Sequence, residues 1–128
     1  MKPSTAEWVA KAEDDFAVMM REGQVVVHPS YDAVCFHAQQ CAEKYLKARL
    51  CEADMAFAKT HDLVALLDVV LDHEPAWEEF REDLAYLSDF AVSFRCPGES
   101  ADNDSVLEAQ RRCRAFRIAA RRSLGLDV

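Results

Sequence analysis

The sequence predicts an all-α protein, folded as an up-and-down antiparallel bundle of about five helices. Apolar residues recur at steps of three and four along most of the chain, which is the spacing of one face of a helix. The chain has only three Gly and four Pro, too few for the many tight turns of a turn-rich β fold. The segments between the periodic stretches are short, and 128 residues fit one domain. We therefore expect residues 1–128 to form a single helical domain.

The first helix is expected to start at Ser4, which has the capping-box spacing to Glu7, and to end near Gly23. Residues 24–30 are predicted to be a connector, because their three valines have no partner strand elsewhere in the chain. The second helix is expected from about residue 31 to 51, where apolar residues repeat at helical spacing.

The third helix is predicted to begin near Thr60, a plausible N-cap, and to end before Pro75. The fourth is predicted as one regular helix, because a single apolar stripe continues from Trp77 to Phe94. Residues 96–104 are rich in turn-forming and acidic residues and are expected to form a loop. A fifth helix follows and is expected to stop at Gly125.

The formal net charge of −8 argues against general coating of nucleic acid, which depends mainly on Lys and Arg. The charge is unevenly placed, because acids dominate residues 52–104 whereas the last helix has six Arg and one Glu. Arg114, Arg117 and Arg121 fall in one row of that helix. The row is either a structural feature or a strip that contacts phosphate; as a structural feature it is a solvated face, or a face that pairs with the acidic third and fourth helices of this or another copy.

The cysteines and histidines favour a cytoplasmic protein with reduced thiols and with neither cofactor nor metal. Five cysteines, an odd number without a CxxC pair, do not suit a disulfide framework. The four histidines lack the close spacing of metal ligands. No apolar run is long enough to cross a membrane, and we expect no signal sequence, because the start of the chain lacks an apolar signal core.

A polar ridge is the first candidate site. Gln40, Glu43, Lys44 and Lys47 project away from the apolar stripe of the second helix and could supply donors for phosphate or for base edges. The alternative interpretation is structural, since Glu43 and Lys47 have the spacing of an ordinary ion pair within a helix.

Two further clusters stand at helix ends. His61 lies at the expected start of the third helix, where it either belongs to the cap region or meets a phosphate at the helix N-terminus. Arg95 lies at the expected end of the fourth helix, where an Arg also suits the helix dipole.

Taken in order, four segments resemble motifs of the HEPN family, the helical domain found beside minimal nucleotidyltransferases. The first, W-V-A-K-A-E-D-D-F at residues 8–16, is similar to the W-x-x-x-A-E-x-D-[LF] with which the family opens. Residues 36–48 resemble its F-x-x-Q-Q-A-x-E-K-x-L-K-A, residues 60–63 its T-H-D-L, and residues 95–97 its R-Y-P. Together the four segments extend over nearly the whole chain.

The resemblance implies a homodimeric helical bundle with a cleft that binds nucleotide or RNA. It also implies a nucleotidyltransferase-type protein partner, as in toxin–antitoxin pairs in which the HEPN protein is the ribonuclease. Catalytic members carry R-x(4–6)-H, and Arg95 stands where that Arg falls. No His occurs from Cys96 to Asp104, and Cys96 replaces the Tyr. We therefore expect a nucleotide- or RNA-binding module without strong catalysis, in which Gln40, Glu43, Lys44, Lys47, His61 and Arg95 contact the ligand or a partner.

Two alternatives remain at this stage. One is a metal-independent HEPN ribonuclease toxin in which Arg95 acts with His61, or with His37, in place of the missing motif His. The other is a purely structural module that dimerises or binds an antitoxin. Tyr86 and Phe90 lie off the main apolar row of the fourth helix and are expected to line a dimer interface.

Overall fold

The structure, a computed structural model, describes residues 1–91 and 99–128, and within them every regular element is a helix. The five α-helices are α1 (Pro3–Glu22), α2 (Tyr31–Glu52), α3 (Leu63–Val70), α4 (Arg81–Ser88) and α5 (Asn103–Ser123). Two short 3-10 helices, Pro75–Phe80 and Asp89–Ala91, precede and follow α4. The predicted all-α bundle is confirmed. No helix in these residues has the length and apolarity needed to cross a membrane.

Helix α2 is the centre of the bundle, because it packs against all four other α-helices. α1 lies antiparallel to it, since the backbone N–H of Lys2 donates to Glu52 at one end and that of Ser30 donates to Glu22 at the other. The connection of residues 53–62 then returns along α2, and α3 begins beside the middle of that helix. α2 is therefore enclosed on more than one side.

The apolar core between α2, α4 and α5 is built around the Phe116 ring. Phe116 is fully buried and makes edge-to-face contacts with Trp77 and Phe80, at centroid distances of 5.1 and 5.4 Å. Edge-to-face packing of this kind adds to the free energy gained from burial of the rings themselves. The inner face of α5 consists of five buried residues, Val106, Ala109, Cys113, Phe116 and Ala120.

The two predicted N-caps were wrong. α1 begins at Pro3, one residue before Ser4, because proline at the first helical position lacks an N–H that would need a partner. α3 is capped by Asp62 and not by Thr60, since the Asp62 carboxylate accepts from the N–H groups of Val64 and Ala65.

The predicted stop at Gly125 is confirmed and has a clear geometry. Gly125 has φ +74°, a conformation that glycine adopts without steric cost. The N–H of Gly125 donates to Arg122 O and that of Leu126 donates to Arg121 O, which together form a Schellman motif.

The fourth helix is shorter and less regular than its apolar stripe predicts. The stripe is real, because Trp77, Leu84 and Leu87 are buried, but the backbone tightens to 3-10 geometry before Arg81 and after Ser88. Residues 92–94 of the expected helix lie outside the described residues.

The two rings expected to line a dimer interface, Tyr86 and Phe90, pack on each other within one chain. Phe90 is only 7% exposed in the single chain and packs edge-to-face on Tyr86. The Arg112 guanidinium covers the Tyr86 ring at 4.6 Å. These two rings are therefore used within one chain, and the homodimer remains a prediction from the family resemblance.

We expect Phe116→Ala to lower the free energy of unfolding by about 3–5 kcal/mol, because it leaves a cavity among Trp77 and Phe80. Ile118→Ala, on the exposed face of the same helix, is the matched control and should cost less than about 1 kcal/mol. Urea denaturation followed by circular dichroism measures both. Equal losses for the two variants would contradict the assigned core.

Candidate functional site

The Glu43 carboxylate organises the polar side of α2. It is almost fully buried and accepts from Gln39 Nε2 at 3.1 Å, His61 Nδ1 at 2.8 Å and Lys47 Nζ at 3.0 Å. Gln39 also donates to the backbone carbonyl of His61 at 3.1 Å, which holds the segment leading into α3 against α2. We call Gln39, Glu43, Lys47 and His61 the Glu43 network.

The Glu43 network keeps its central carboxylate ionised at neutral pH. Burial raises the pKa of the Glu43 carboxyl, but the hydrogen bonds from Gln39, His61 and Lys47 outweigh burial and hold that pKa below its ordinary value. An ionised carboxylate can only accept hydrogen bonds. All three neighbours must therefore donate to Glu43.

This requirement fixes the orientation of His61. Because Glu43 only accepts, His61 Nδ1 carries a proton, and in the neutral imidazole Nε2 is left as the acceptor. The His61 side chain is 66% exposed, and no described residue hydrogen-bonds to its Nε2. His61 thus presents an oriented nitrogen to solvent, which can accept a proton or, when protonated, donate to an anion.

An aromatic surface adjoins the Glu43 network on the α1 side. Lys47 Nζ lies 5.5 Å from the centre of the Trp8 ring, a cation–π distance, and Phe57 packs edge-to-face on the same ring. A shallow cavity of about 170 Å³ is lined by Ser4, Glu7, Trp8 and Lys11. A half-buried Trp beside a cavity and two lysines is a suitable surface for stacking a nucleobase.

A second carboxylate holds a similar group further along α2. Asp15 of α1 is buried and accepts from His37 Nδ1 at 2.7 Å and from Lys44 Nζ. Gln40 lies between the two groups and donates to Gln39 Oε1 at 2.6 Å. The same combination of carboxylate, histidine and lysine therefore occurs twice along one helix.

The arginines of α5 fall into two groups. Arg117 forms a bidentate ion pair with Glu13 of α1 at 2.7 and 2.8 Å, and Arg121 donates to Tyr45 Oη at 3.0 Å. Burial raises the pKa of Glu13, but the hydrogen bonds from Arg117 and Tyr45 outweigh it, so the pKa lies below its ordinary value. Arg114, in the same row, is exposed. The predicted row is thus mostly a link between helices, made with α1 and α2 and not with α3 or α4.

Gln40, Glu43, Lys44 and Lys47 do not form the exposed polar ridge that the sequence predicts. Glu43 and Lys47 are buried and form the intrahelical ion pair of the structural interpretation, and Lys44 is paired with Asp15. His61 joins Glu43, which the sequence did not indicate. Arg95 lies outside the described residues, so its place relative to His61 stays a prediction.

Sequence reasoning missed Trp8, Asp15 and Gln39 as members of the site. Trp8 has helical spacing to Ala12 and Phe16, and aromatic residues at helical spacing are usually core. Asp15 was the available signal, since a carboxylate within the largely apolar inner face of α1 needs a partner. In the described part of the chain, no group of three or more His, Cys, Asp or Glu residues is placed to hold a metal ion.

The profile of the family described as HEPN domain matches residues 5–122, nearly the whole chain. The chain therefore belongs to the HEPN domain family, whose members generally bind nucleotides or RNA. Neither a curated protein nor a solved structure matches the chain significantly.

We expect Glu43→Gln to destabilise the protein by about 3 kcal/mol at pH 7, because it leaves the buried Lys47 without its counter-ion. The folded-state pKa of Glu43 lies below its ordinary value of 4.5, so the stability that Glu43 contributes is present above pH 4.5 and is lost as the pH falls. The difference between wild type and variant should therefore shrink below that pH. Urea denaturation at a series of pH values measures it.

Glu79→Gln is the matched control, because Glu79 is exposed on the 3-10 helix before α4. It should change stability by less than about 0.5 kcal/mol at any pH. A Glu43→Gln loss that stays constant from pH 7 to pH 3 would contradict the ionised state assigned to Glu43.

Proposed function

We propose that this chain is a nucleotide- or RNA-binding HEPN module that acts with a nucleotidyltransferase-type partner, as in toxin–antitoxin pairs, and that has no strong catalytic activity of its own. The observation that carries the binding part is the solvent-facing His61 nitrogen, since the carboxylate of Glu43 that holds His61 also binds Lys47, whose ammonium group lies over the Trp8 ring. A nucleobase would stack on Trp8, and its phosphate would meet His61 and the exposed Lys11.

Charge supports a local site over a broad one. Lys44 and Lys47 are both neutralised by carboxylates, so the polar side of α2 is not a strongly positive surface. A ligand here depends on stacking and on a few directed hydrogen bonds more than on long-range attraction. That suits a nucleotide or a short RNA segment.

The protein partner is proposed from the family resemblance of the motifs at residues 36–48, 60–63 and 95–97. It is tested by searching the neighbouring genes for a nucleotidyltransferase frame and co-expressing its product with this chain, with one of the two proteins tagged. Co-purification in fixed stoichiometry is expected. The absence of a neighbouring nucleotidyltransferase frame would contradict the pairing.

We expect nucleotides to bind with an affinity that His61→Ala lowers about tenfold, the effect of one lost hydrogen bond to a charged group. Calorimetry with ATP, GTP and a short oligouridylate measures this. His73→Ala is the matched control, because His73 is exposed in the turn after α3 and lies outside the Glu43 network. Arg95→Ala tests the remaining sequence-predicted contact.

Trp8 supplies an independent readout, because the only other tryptophan, Trp77, is buried in the core. Nucleotide should quench the fluorescence of a Trp77→Phe variant and leave that of a Trp8→Phe variant unchanged. No detectable binding by wild type would overturn the binding module.

A ribonuclease is the second candidate, favoured by the same His61 nitrogen. Nε2 could take the proton of an RNA 2′-hydroxyl, whose oxygen would attack phosphorus. The bond between phosphorus and the 5′-oxygen would break, leaving a 2′,3′-cyclic phosphate, and the departing 5′-oxygen would take a proton from water. His37 has the same arrangement, since Asp15 holds its Nδ1. Arg95 would contact the phosphate.

Incubation of purified protein with transfer RNA decides between the two candidates. We expect intact RNA at high protein concentration. Cleavage that is retained in His73→Ala and lost in His61→Asn would instead support the ribonuclease, because the asparagine amide can still donate a hydrogen bond to Glu43 but cannot take up a proton at neutral pH.

A further inference from the structure

The outer face of α5 carries exposed apolar and cationic side chains in one line. Five of these residues, projected at 100° per residue, fall within an arc of about 80° around the helix axis and extend for about 22 Å along it. We call this set the α5 outer stripe, and its members are Leu107, Arg111, Arg114, Ile118 and Arg122.

The apolar members of the α5 outer stripe are unusual for this chain. Leu107 is 56% exposed and Ile118 is 37% exposed. Elsewhere in the described residues, exposed large apolar side chains occur only near the chain ends and in the connector at residues 25–27. Leu107 and Ile118 are thus the ones that stand within an α-helix, eleven residues and three turns apart.

The arginines of the stripe are only partly neutralised. Arg111 pairs with Glu108 on the same helix at 2.7 Å, where both groups are exposed. Arg114 and Arg122 form no ion pair with any described residue. Because Arg114 and Arg122 are not neutralised, the stripe keeps a positive charge although the chain as a whole is acidic.

We propose that the α5 outer stripe is a docking surface for an acidic, amphipathic segment of a different protein. Glutamates or aspartates of that segment would meet Arg111 and Arg114, and apolar side chains would cover Leu107 and Ile118. The α5 outer stripe is separate from the nucleotide site proposed at His61, which lies in the connection of residues 53–62.

Charge argues against a second copy of this chain as the occupant. Two α5 helices packed about a two-fold axis would bring Arg111 and Arg114 against their own copies, and like charges repel. The acidic α3–α4 side of another copy would match the charge. It does not match the apolar residues, because no large apolar side chain from residue 53 to Ala91 is exposed.

The side-chain types argue for protein over nucleic acid. Single-stranded nucleic acid is bound on aromatic stacking surfaces between cations, whereas the α5 outer stripe offers aliphatic side chains. Aliphatic residues flanked by arginine are typical of a protein interface with a polar rim.

The test uses a labelled synthetic helical peptide that carries Leu, Glu, Glu and Leu at the spacings of Leu107, Arg111, Arg114 and Ile118. The order and spacing of these residues are the same in both chain directions, so the peptide can dock parallel or antiparallel to α5. Fluorescence anisotropy should show binding to the full chain, weaker at higher salt. A peptide with Lys in place of Glu should not bind.

Arg114→Glu should weaken peptide binding about tenfold or more, and Leu107→Ser combined with Ile118→Ser should do the same. Lys59→Glu, an equal charge reversal at an exposed position outside α5, should leave binding unchanged. Circular dichroism confirms that each variant is folded.

Three results would overturn the proposal. The first is no binding of the acidic peptide by wild type. The second is oligouridylate binding that Arg114→Glu abolishes and the two serine substitutions leave intact, which would make the stripe a phosphate strip. The third is an oligomer, seen by sedimentation, that the two serine substitutions dissociate, which would make a second copy the occupant.

Discussion

The position of α2 in the middle of the bundle is the constraint from which the rest of the structure follows. Other helices cover it on several sides, so polar side chains on α2 must find partners in those helices. Every buried side-chain nitrogen and oxygen in the described residues has a hydrogen-bond partner. Glu43 accepts hydrogen bonds from its own helix and from His61 in the connection before α3. Lys44 and His37 of α2 bind Asp15 of α1. These contacts lock α1 and α3 onto α2.

Satisfying the buried groups also creates the exposed one. Glu43 needs several donors to remain ionised in the core, and the imidazole of His61 is one of them. Because His61 uses Nδ1 inward, its Nε2 faces outward in a defined orientation. The candidate site is thus the outer end of a network that the fold requires. The hydrogen bond to Glu43 alone thus orients the ring of the exposed His61.

Much of the fold could be predicted, because helical periodicity depends on local sequence. The apolar steps of α1, α2 and α5 and the stop at Gly125 were readable, since each follows from side chains close in the chain. The exact caps were not, because Thr60 and Asp62 are both suitable and only the backbone path decides between them. The tightening around α4 also depends on packing that the stripe does not reveal.

The candidate site was predictable in its residue types and not in its pairing. The sequence indicates that Glu43, Lys47 and His61 are polar groups near helix surfaces. It does not indicate that residues 53–62 return along α2 and bring His61 onto Glu43. Burial of Glu43 and Lys47 was missed for the same reason, since a face that is polar in sequence was taken to be exposed. Which face of a helix is buried by a distant segment depends on the topology of the chain and not on the local sequence.

The most direct measurement of the central claim is the protonation state of the His61 ring nitrogens by long-range ¹H–¹⁵N NMR at pH 8. We expect the proton on Nδ1 and an unprotonated Nε2, with the Nε2 resonance shifting when nucleotide is added. Glu43→Gln should allow a mixture of the two tautomers, because a side-chain amide can donate as well as accept. A proton on Nε2 in the wild-type protein, or an Nε2 resonance that nucleotide leaves unchanged, would contradict the site built on Glu43.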